Sequence, residues 1–179
     1  AVFQETLGTD SWELIFVNDG SPNPATASTL QQLAGRPHVV VVSLLRNFGK
    51  QGAVLAGFSL AHGQHVVMMD DDLQHRPEDL PGLLAKQAHD LVIAAFKKKE
   101  HGLSKRLFSR IKNWLDYKLL GKPRHISNSA YKVIARPVVQ AVLSMDISSP
   151  YISGLLFFAT KDIVNVHCTQ DKRAYGKTT

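Results

Sequence analysis

Along the first half of the chain, short continuous apolar runs alternate with stretches whose apolar positions recur at helical spacing. Glu13–Asn18 reads as a buried strand, ended by Asp19, Gly20, Ser21 and Pro22, a strong turn signal. A short helix is expected over Ala25–Leu33. His38–Leu44 is almost continuously β-branched, the pattern of a parallel strand covered on both faces. Lys50–Ala61 predicts a helix whose small residues, Gly52, Ala53, Ala56 and Gly57, permit close packing on a sheet. A third strand is expected over His65–Asp70, a helix over Pro77–Ala88 with proline at its start, and a fourth strand over Asp90–Phe96. Strand–helix repetition of this kind predicts a doubly wound α/β fold with a mostly parallel sheet.

The second half is less regular. Leu103–Leu120 predicts an amphipathic helix, with Leu103, Leu107, Ile111, Leu115 and Leu119 four residues apart and Phe108 and Trp114 beside them. Strands are expected over Tyr131–Ala135 and Ile163–His167, and helices over Pro137–Leu143 and Tyr151–Ala159.

Composition narrows the classes. Of 179 residues, 44% are hydrophobic, which excludes disorder and allows a single domain with a real core. One cysteine, Cys168, excludes a disulfide scaffold within the chain. The apolar stretch Tyr151–Thr160 is too short to span a bilayer. The net charge of +6 is local, because residues 97–124 hold ten Lys and Arg against two acids. A basic segment on a near-neutral body predicts an anionic partner: phosphates, anionic lipid or nucleic acid. One face of the Leu103–Leu120 helix is apolar and the other basic, the composition of a helix lying on an anionic membrane surface. A plain domain helix with its basic face in water has the same composition.

Ligands of open α/β sheets bind where the strands end, and three expected strands end in polar clusters. These are Asn18–Ser21, Arg46–Lys50 and Asp70–Gln74, and they are expected to converge on one edge. Three successive carboxylates repel unless a cation sits among them. If strand geometry persists, Asp70 and Asp72 face the same way, and two hard oxygen ligands suit Mg2+ or Mn2+ shared with substrate phosphates. The alternative is a solvated turn, with Asp72 as a cap and Glu78 in the first turn of the next helix. An EF-hand is excluded, since His75 and Pro81 stand at its sixth and twelfth positions. Asp19 could accept hydrogen bonds from a nucleobase or ribose, or could merely build an Asx turn. The Arg46–Lys50 segment suits a phosphate near a helix N-terminus but is not a P-loop. The eight histidines show no metal-ligand spacing.

Val17–Ser21, Arg46–Lys50 leading to Ala56 and Gly57, and Met69–Gln74 with Pro77 together resemble the family 2 glycosyltransferases of the GT-A fold. The branch most resembled moves sugars from nucleotide donors to polyprenyl phosphates, as in dolichol-phosphate-mannose-synthase-like and bactoprenol-glucosyltransferase-like enzymes. Arg173–Thr178 is similar to the family's closing Arg-x-x-Gly-x-Ser segment, so the likeness covers nearly the whole chain. It implies one catalytic domain over residues 1–179, lacking the family's first strand and any C-terminal membrane region. It implies an inverting, metal-dependent transfer, with Asp70, Asp72 and Gln74 as the catalytic set. Asp72 would lie nearest the metal and Asp70 near ribose or diphosphate. Asp19, Gly20, Ser21, Asn47, Gly49, Lys50 and Asp70 would hold the donor. Ser104, Lys105, Arg106, Arg173 and Lys177 would hold the acceptor and donor phosphates. A nucleotide-sugar, UDP-linked in preference to GDP-linked, a polyprenyl phosphate and the membrane surface are the implied partners, with no nucleic acid among them. The cytoplasmic face of the cell membrane is the implied location.

One departure bears on mechanism. Where many relatives carry Gly-Asp-Phe-Arg-Leu, this chain has Ser129–Val133, and Ala130 replaces the acid. A saccharide hydroxyl as acceptor would need a general base from elsewhere, for which Asp71 and His75 are the candidates; a phosphate acceptor is already anionic and needs none. Three rivals stand beside this reading. A haloacid-dehalogenase-like phosphotransferase also places Asp-x-Asp at a strand end, but expects Thr or Val where Gln74 stands. A non-enzymatic nucleic-acid-binding module would use residues 97–124, which hold no recognised motif. An inactive nucleotide-binding fragment would follow from the missing strand.

Overall fold

The computed structural model describes residues 12–96, 117–118, 121–145, 147 and 150–169. The chain forms two compact units, residues 1–64 with 143–152 and residues 65–142 with 153–179.

In the first unit, β1 (Leu14–Asn18) and β2 (Val39–Ser43) pair in parallel, from Leu14 opposite Val39 to Asn18 opposite Ser43. Between them runs α1 (Pro24–Ala34), started by the Asn23 side chain, which accepts the Ala25 N–H at 3.0 Å, and by Pro24 at its first position. Gly35 ends it. After β2 comes α2 (Gly49–Leu60). The expected close approach of this helix is real: a Cβ on Gly57 would stand 3.4 Å from Val17 Cγ2 of β1.

The second unit holds a four-stranded sheet in the order β3-β5-β4-β6, built from His65–Met68, Lys132–Ala135, Leu91–Phe96 and Ile163–Cys168. β5 is antiparallel to both β3 and β4, while β6 is parallel to β4. Three strands therefore end on the edge where β5 begins. β4 is the centre of the core. Leu91, Val92, Ile93 and Ala94 are fully buried, as an uninterrupted apolar run in a central strand should be. Leu80, Leu83, Val133, Ile134, Val139, Leu156 and Phe157 pack the rest. The flanking helices are α3 (Leu80–Leu84), α4 (Arg136–Leu143) and α5 (Ile152–Ala159).

Two expectations are corrected. The helix expected over Pro77–Ala88 is a 3-10 turn, Pro77–Asp79, followed by α3 alone. Pro81 lacks an N–H to continue the ladder from residue 77. Beyond Leu84 the bonds shorten to three-residue steps, Lys86 to Leu83 and Gln87 to Leu84. The strand expected to reach Asp70 ends at Met68, and Leu73 takes a left-handed φ of 61°. Strand alternation therefore does not set the directions of Asp70 and Asp72. The Leu103–Leu120 helix lies outside the described residues except for Tyr117 and Lys118. No helix among the described residues is long and apolar enough to cross a membrane.

Candidate functional site

The first and second polar clusters meet in the first unit. Oδ1 of Asp19, just past β1, accepts the Phe48 N–H at 2.7 Å. Among the described residues that is the only hydrogen bond of its carboxylate. Gly20 makes the approach possible: its φ is 67°, and a Cβ there would stand 2.8 Å from both Arg46 C and Asn47 N. Ser21 serves the turn itself, donating its N–H to Asn18 Oδ1 at 2.9 Å and its hydroxyl to Thr26 Oγ1 at 3.3 Å. Asn47 Oδ1 accepts the Gly49 N–H at 3.0 Å, and Gly49, at φ 80°, opens α2 with exposed Lys50 next to it. Exposed Phe48 carries the Arg46 guanidinium 4.9 Å above its ring centroid.

The third cluster is a turn built in the second unit, after β3. Asp72 Oδ1 accepts the Gln74 N–H at 3.1 Å, an Asx turn, and Asp71 is exposed. What fixes the turn is His75, which the sequence offers only as a base for a saccharide acceptor. It is 7% exposed, and its Nδ1 accepts the Asp70 N–H at 3.0 Å. Its ring stacks with Phe96 at 5.7 Å and with Tyr131 at 5.3 Å. A nitrogen already holding a backbone N–H is not available to take a substrate proton, so the base role for His75 is withdrawn. Tyr131 OH in turn donates to Arg76 O at 3.2 Å; burial, with Asp79 nearby, pushes this phenol's pKa up and keeps it protonated. Asp79 Oδ2 accepts the Thr169 N–H at 3.3 Å, tying the turn to the end of β6.

The segment leading into β5 is fixed on the middle of β4 and β6. Asn165 of β6 behaves as a strand partner for Ser127: its Oδ1 accepts the Ser127 N–H at 2.7 Å, and its Nδ2 donates to Ser127 O and Ile93 O, each at 3.0 Å. Ser129 Oγ donates to Ala94 O at 2.8 Å. The fully buried Lys132 donates its ammonium to Ser129 O. No periodicity announces these side chains, because their partners are main-chain atoms.

Asp19, Gly20, Ser21, Asn47, Gly49 and Lys50 are thus brought together, and Asp70, Asp72 and Gln74 form one turn. Ser104, Lys105, Arg106, Arg173 and Lys177 lie outside the described residues. Among the described residues no group of three or more His, Cys, Asp or Glu side chains is placed to hold a metal ion. Asp70 and Asp72 by themselves offer hard carboxylate oxygens, the donor set that Mg2+ or Mn2+ shares with substrate phosphates.

A strand-end turn of acids beside a mixed sheet flanked by helices fits a GT-A-type glycosyltransferase fold, and comparison with known proteins shows that fold. Glucosyl-3-phosphoglycerate synthase from Mycobacterium tuberculosis, solved with Mn2+, UDP-glucose and phosphoglyceric acid, superposes with a TM-score of 0.59 at 17% identity, over 98% of this chain and 67% of that one. S. aureus TarS in complex with UDP gives 0.55 at 16% identity, over 89% of this chain and 51% of that one. The model of glycosyl transferase family 2 matches residues 3–144, and the chain belongs to that family. Undecaprenyl-phosphate 4-deoxy-4-formamido-L-arabinose transferase of Pectobacterium atrosepticum is 31% identical over 169 residues, 92% of this chain and 51% of the relative. The enzyme of the same name from Enterobacter sp. is 30% identical over 178 residues, 97% of this chain and 54% of the relative. The chain spans about half the length of these curated relatives.

Proposed function

We propose that residues 1–179 act as one catalytic domain that transfers a sugar, with inversion, from a nucleotide diphosphate to a polyprenyl phosphate, in cell-envelope glycan or lipopolysaccharide synthesis. The observation that carries this is the likeness to undecaprenyl-phosphate sugar transferases over 92% of the chain, together with the intact Asp70–Gln74 turn.

Asp19 reads the base. With Oδ1 engaged by the Phe48 N–H, one oxygen is left as an acceptor. Uracil offers a single imide N–H between two carbonyls, whereas guanine offers adjacent N1–H and N2–H donors that ask for both oxygens of a carboxylate. UDP is the proposed donor nucleotide, in preference to GDP. Asp70 and Asp72 would hold the divalent ion. Bound there, Mg2+ or Mn2+ would neutralise charge on the departing diphosphate.

The acceptor phosphate is anionic at neutral pH and needs no deprotonation. Its oxygen bonds to the anomeric carbon as the bond from that carbon to the diphosphate oxygen breaks, and UDP leaves with the electron pair. The protein's part is alignment: Gln74 beside the sugar or acceptor phosphate, and Ser104, Lys105, Arg106, Arg173 and Lys177 around the phosphates. Ala130, where many relatives carry an acid, fits an acceptor that needs no base. The basic segment 97–124 would rest on the anionic cytoplasmic face of the cell membrane, where the lipid acceptor lies.

Calorimetric titration of UDP and GDP, each with and without Mn2+, into the wild type and Asp72→Ala tests this. Metal-dependent binding of UDP, lost in the variant, is the expected result. Binding of generic DNA with no affinity for either nucleotide would overturn it.

A further inference from the structure

The outer side of β2 is an open strand edge in the first unit. Among the described residues β2 pairs only with β1. The bonds at the two ends of that ladder, Leu14 N–H to His38 O at 2.8 Å and Leu44 N–H to Asn18 O at 2.9 Å, fix its phase. Alternate residues of a strand turn their main-chain groups to opposite neighbours. Val40 and Val42 therefore face β1, while Val39, Val41 and Ser43 face away from it. Val39 agrees with this phase, since its N–H turns back to Arg36 O at 3.3 Å. The N–H groups of Val41 and Ser43 and the C=O groups of Val39, Val41 and Ser43 have no partner among the described residues.

This edge lacks what usually keeps a strand to itself. Natural edges are blunted by a lysine, a proline or a bulge. Residues 38–45 hold no Lys, Arg, Asp, Glu or Pro, and the register with β1 runs from Leu14–Val39 to Asn18–Ser43 without a bulge. Apolar side chains stand exposed along it: Val40 is 39% exposed, and Leu45, just beyond the strand, is wholly so. β1, by contrast, is half-buried along its whole length. The outward groups are also spaced so that the edge answers itself. With a two-fold axis at Val41, an antiparallel second copy sets Val41 opposite Val41, and their N–H and C=O groups bond reciprocally. Ser43 then lies opposite Val39 of the second copy, and its N–H donates to that free C=O. Leu45 reaches the exposed Pro37 end of the other strand.

We infer that β2 is a dimerisation edge, joining two copies of this chain in one continuous sheet across Val41. The inference is independent of the nucleotide-sugar reading above. Each end of the paired strands brings Arg36 of one copy toward Arg46 of the other. That like-charge pair opposes association, so the dimer tightens as salt rises. Val41→Pro removes an outward N–H and sets the proline ring in its place, while the bonds to β1 remain. Val40→Lys places a charge on an exposed edge side chain, opposite Val42 of the second copy.

The test is sedimentation equilibrium of the full chain at low and high salt, with a thermal melt of each variant to report folding. The wild type is expected to dimerise with a Kd in the micromolar range, about 1–100 μM, and more tightly at high salt. Val40→Lys should lose about tenfold in dimer affinity, and Val41→Pro should sediment as a monomer. Cross-linking checks the register. Across a hydrogen-bonded antiparallel pair the Cα atoms stand about 5.5 Å apart, within the span of a disulfide. Val41→Cys in a Cys168→Ser background should therefore form a disulfide-linked dimer on oxidation, while Ser28→Cys, exposed on α1, should not. A wild type that stays monomeric throughout overturns the proposal. So does a dimer that loosens with salt, one that Val40→Lys leaves intact, or one in which Val41→Cys fails to cross-link. If Val41→Pro melts well below the wild type, Val40→Lys and the cross-link decide the matter without it.

Discussion

Substituting His75 by Phe removes the bond that anchors the acidic turn. Phenylalanine keeps a flat ring in a site that is 7% exposed, so its stacking with Phe96 and Tyr131 survives. What disappears is the Nδ1 acceptor that holds the Asp70 N–H at 3.0 Å. Removing one partner of a buried hydrogen bond costs about 1–3 kcal/mol, because the remaining group keeps its desolvation penalty. In a chain of this size that corresponds to a fall in melting temperature of about 2–12 °C. The loss falls on the residue whose carboxylate is assigned to the donor, so Mn2+-dependent UDP affinity should drop with it. Phe96→Leu provides the contrast: it removes a stacking partner, worth about 0.5–1.5 kcal/mol beyond area, and leaves the His75–Asp70 bond in place. Its melt should fall while its UDP affinity stays within about twofold. Thermal melts and calorimetry on both variants decide the matter. A His75→Phe protein as stable as the wild type, with unchanged UDP affinity, would refute the view that this histidine builds the turn.

Gly20→Ala should destabilise the first unit and abolish UDP binding, since its methyl would meet main-chain atoms 2.8 Å away at a φ of 67°; a melt and a titration check both. The exposed His89–Asp162 pair, at 2.7 Å, holds the Asp162 carboxyl below its ordinary 3.8, chiefly through the His89 hydrogen bond. A depressed carboxyl contributes stability above its unfolded value that is lost as pH falls through the folded one. Melts of the wild type and Asp162→Asn should therefore differ modestly at pH 7 and converge below about pH 3.8. Burial, with Asp79 nearby, pushes the Cys168 thiol up to about 11 from 9.0, so at pH 8, with the higher nucleophilicity of its thiolate offsetting part of the loss, its reaction with a disulfide reagent should be about tenfold slower than that of an ordinary surface cysteine.

Periodicity located the regular elements because burial alone dictates them. Leu91–Phe96 is an apolar run that only a central strand can use, and α2 carries Gly57 where the helix approaches β1. The order of the strands was not legible. β5 enters between β3 and β4 in the opposite direction, and nothing local in Lys132–Ala135 encodes which strands it joins. The motif residues were legible as a set because their types are chemically demanding: Gly20 at positive φ, Asp19 beside a strand end, acids in series. Their fixings were not. His75, Asn165 and Ser129 act on main-chain atoms, and any residue can supply a main-chain N–H or C=O, so the sequence bears no mark of the pairing.

The acidic turn itself shows why such fixings are needed. Three consecutive carboxylates repel one another, and Leu73, at φ 61° and 60% exposed, occupies a left-handed conformation without burying its side chain. That conformation costs about 1–2 kcal/mol for a residue with a Cβ. A turn selected for stability alone would place glycine there and disperse the charge. Instead the strained geometry is held by a buried acceptor beneath Asp70, an Asx turn at Asp72, Tyr131 on Arg76 O and Asp79 on the Thr169 N–H. Strain held in place by several independent contacts marks a shape that is needed for what it binds. A divalent cation and a diphosphate would relieve the charge repulsion while leaving the backbone as it is. The ligand-free turn thus bears the cost of its own preorganisation.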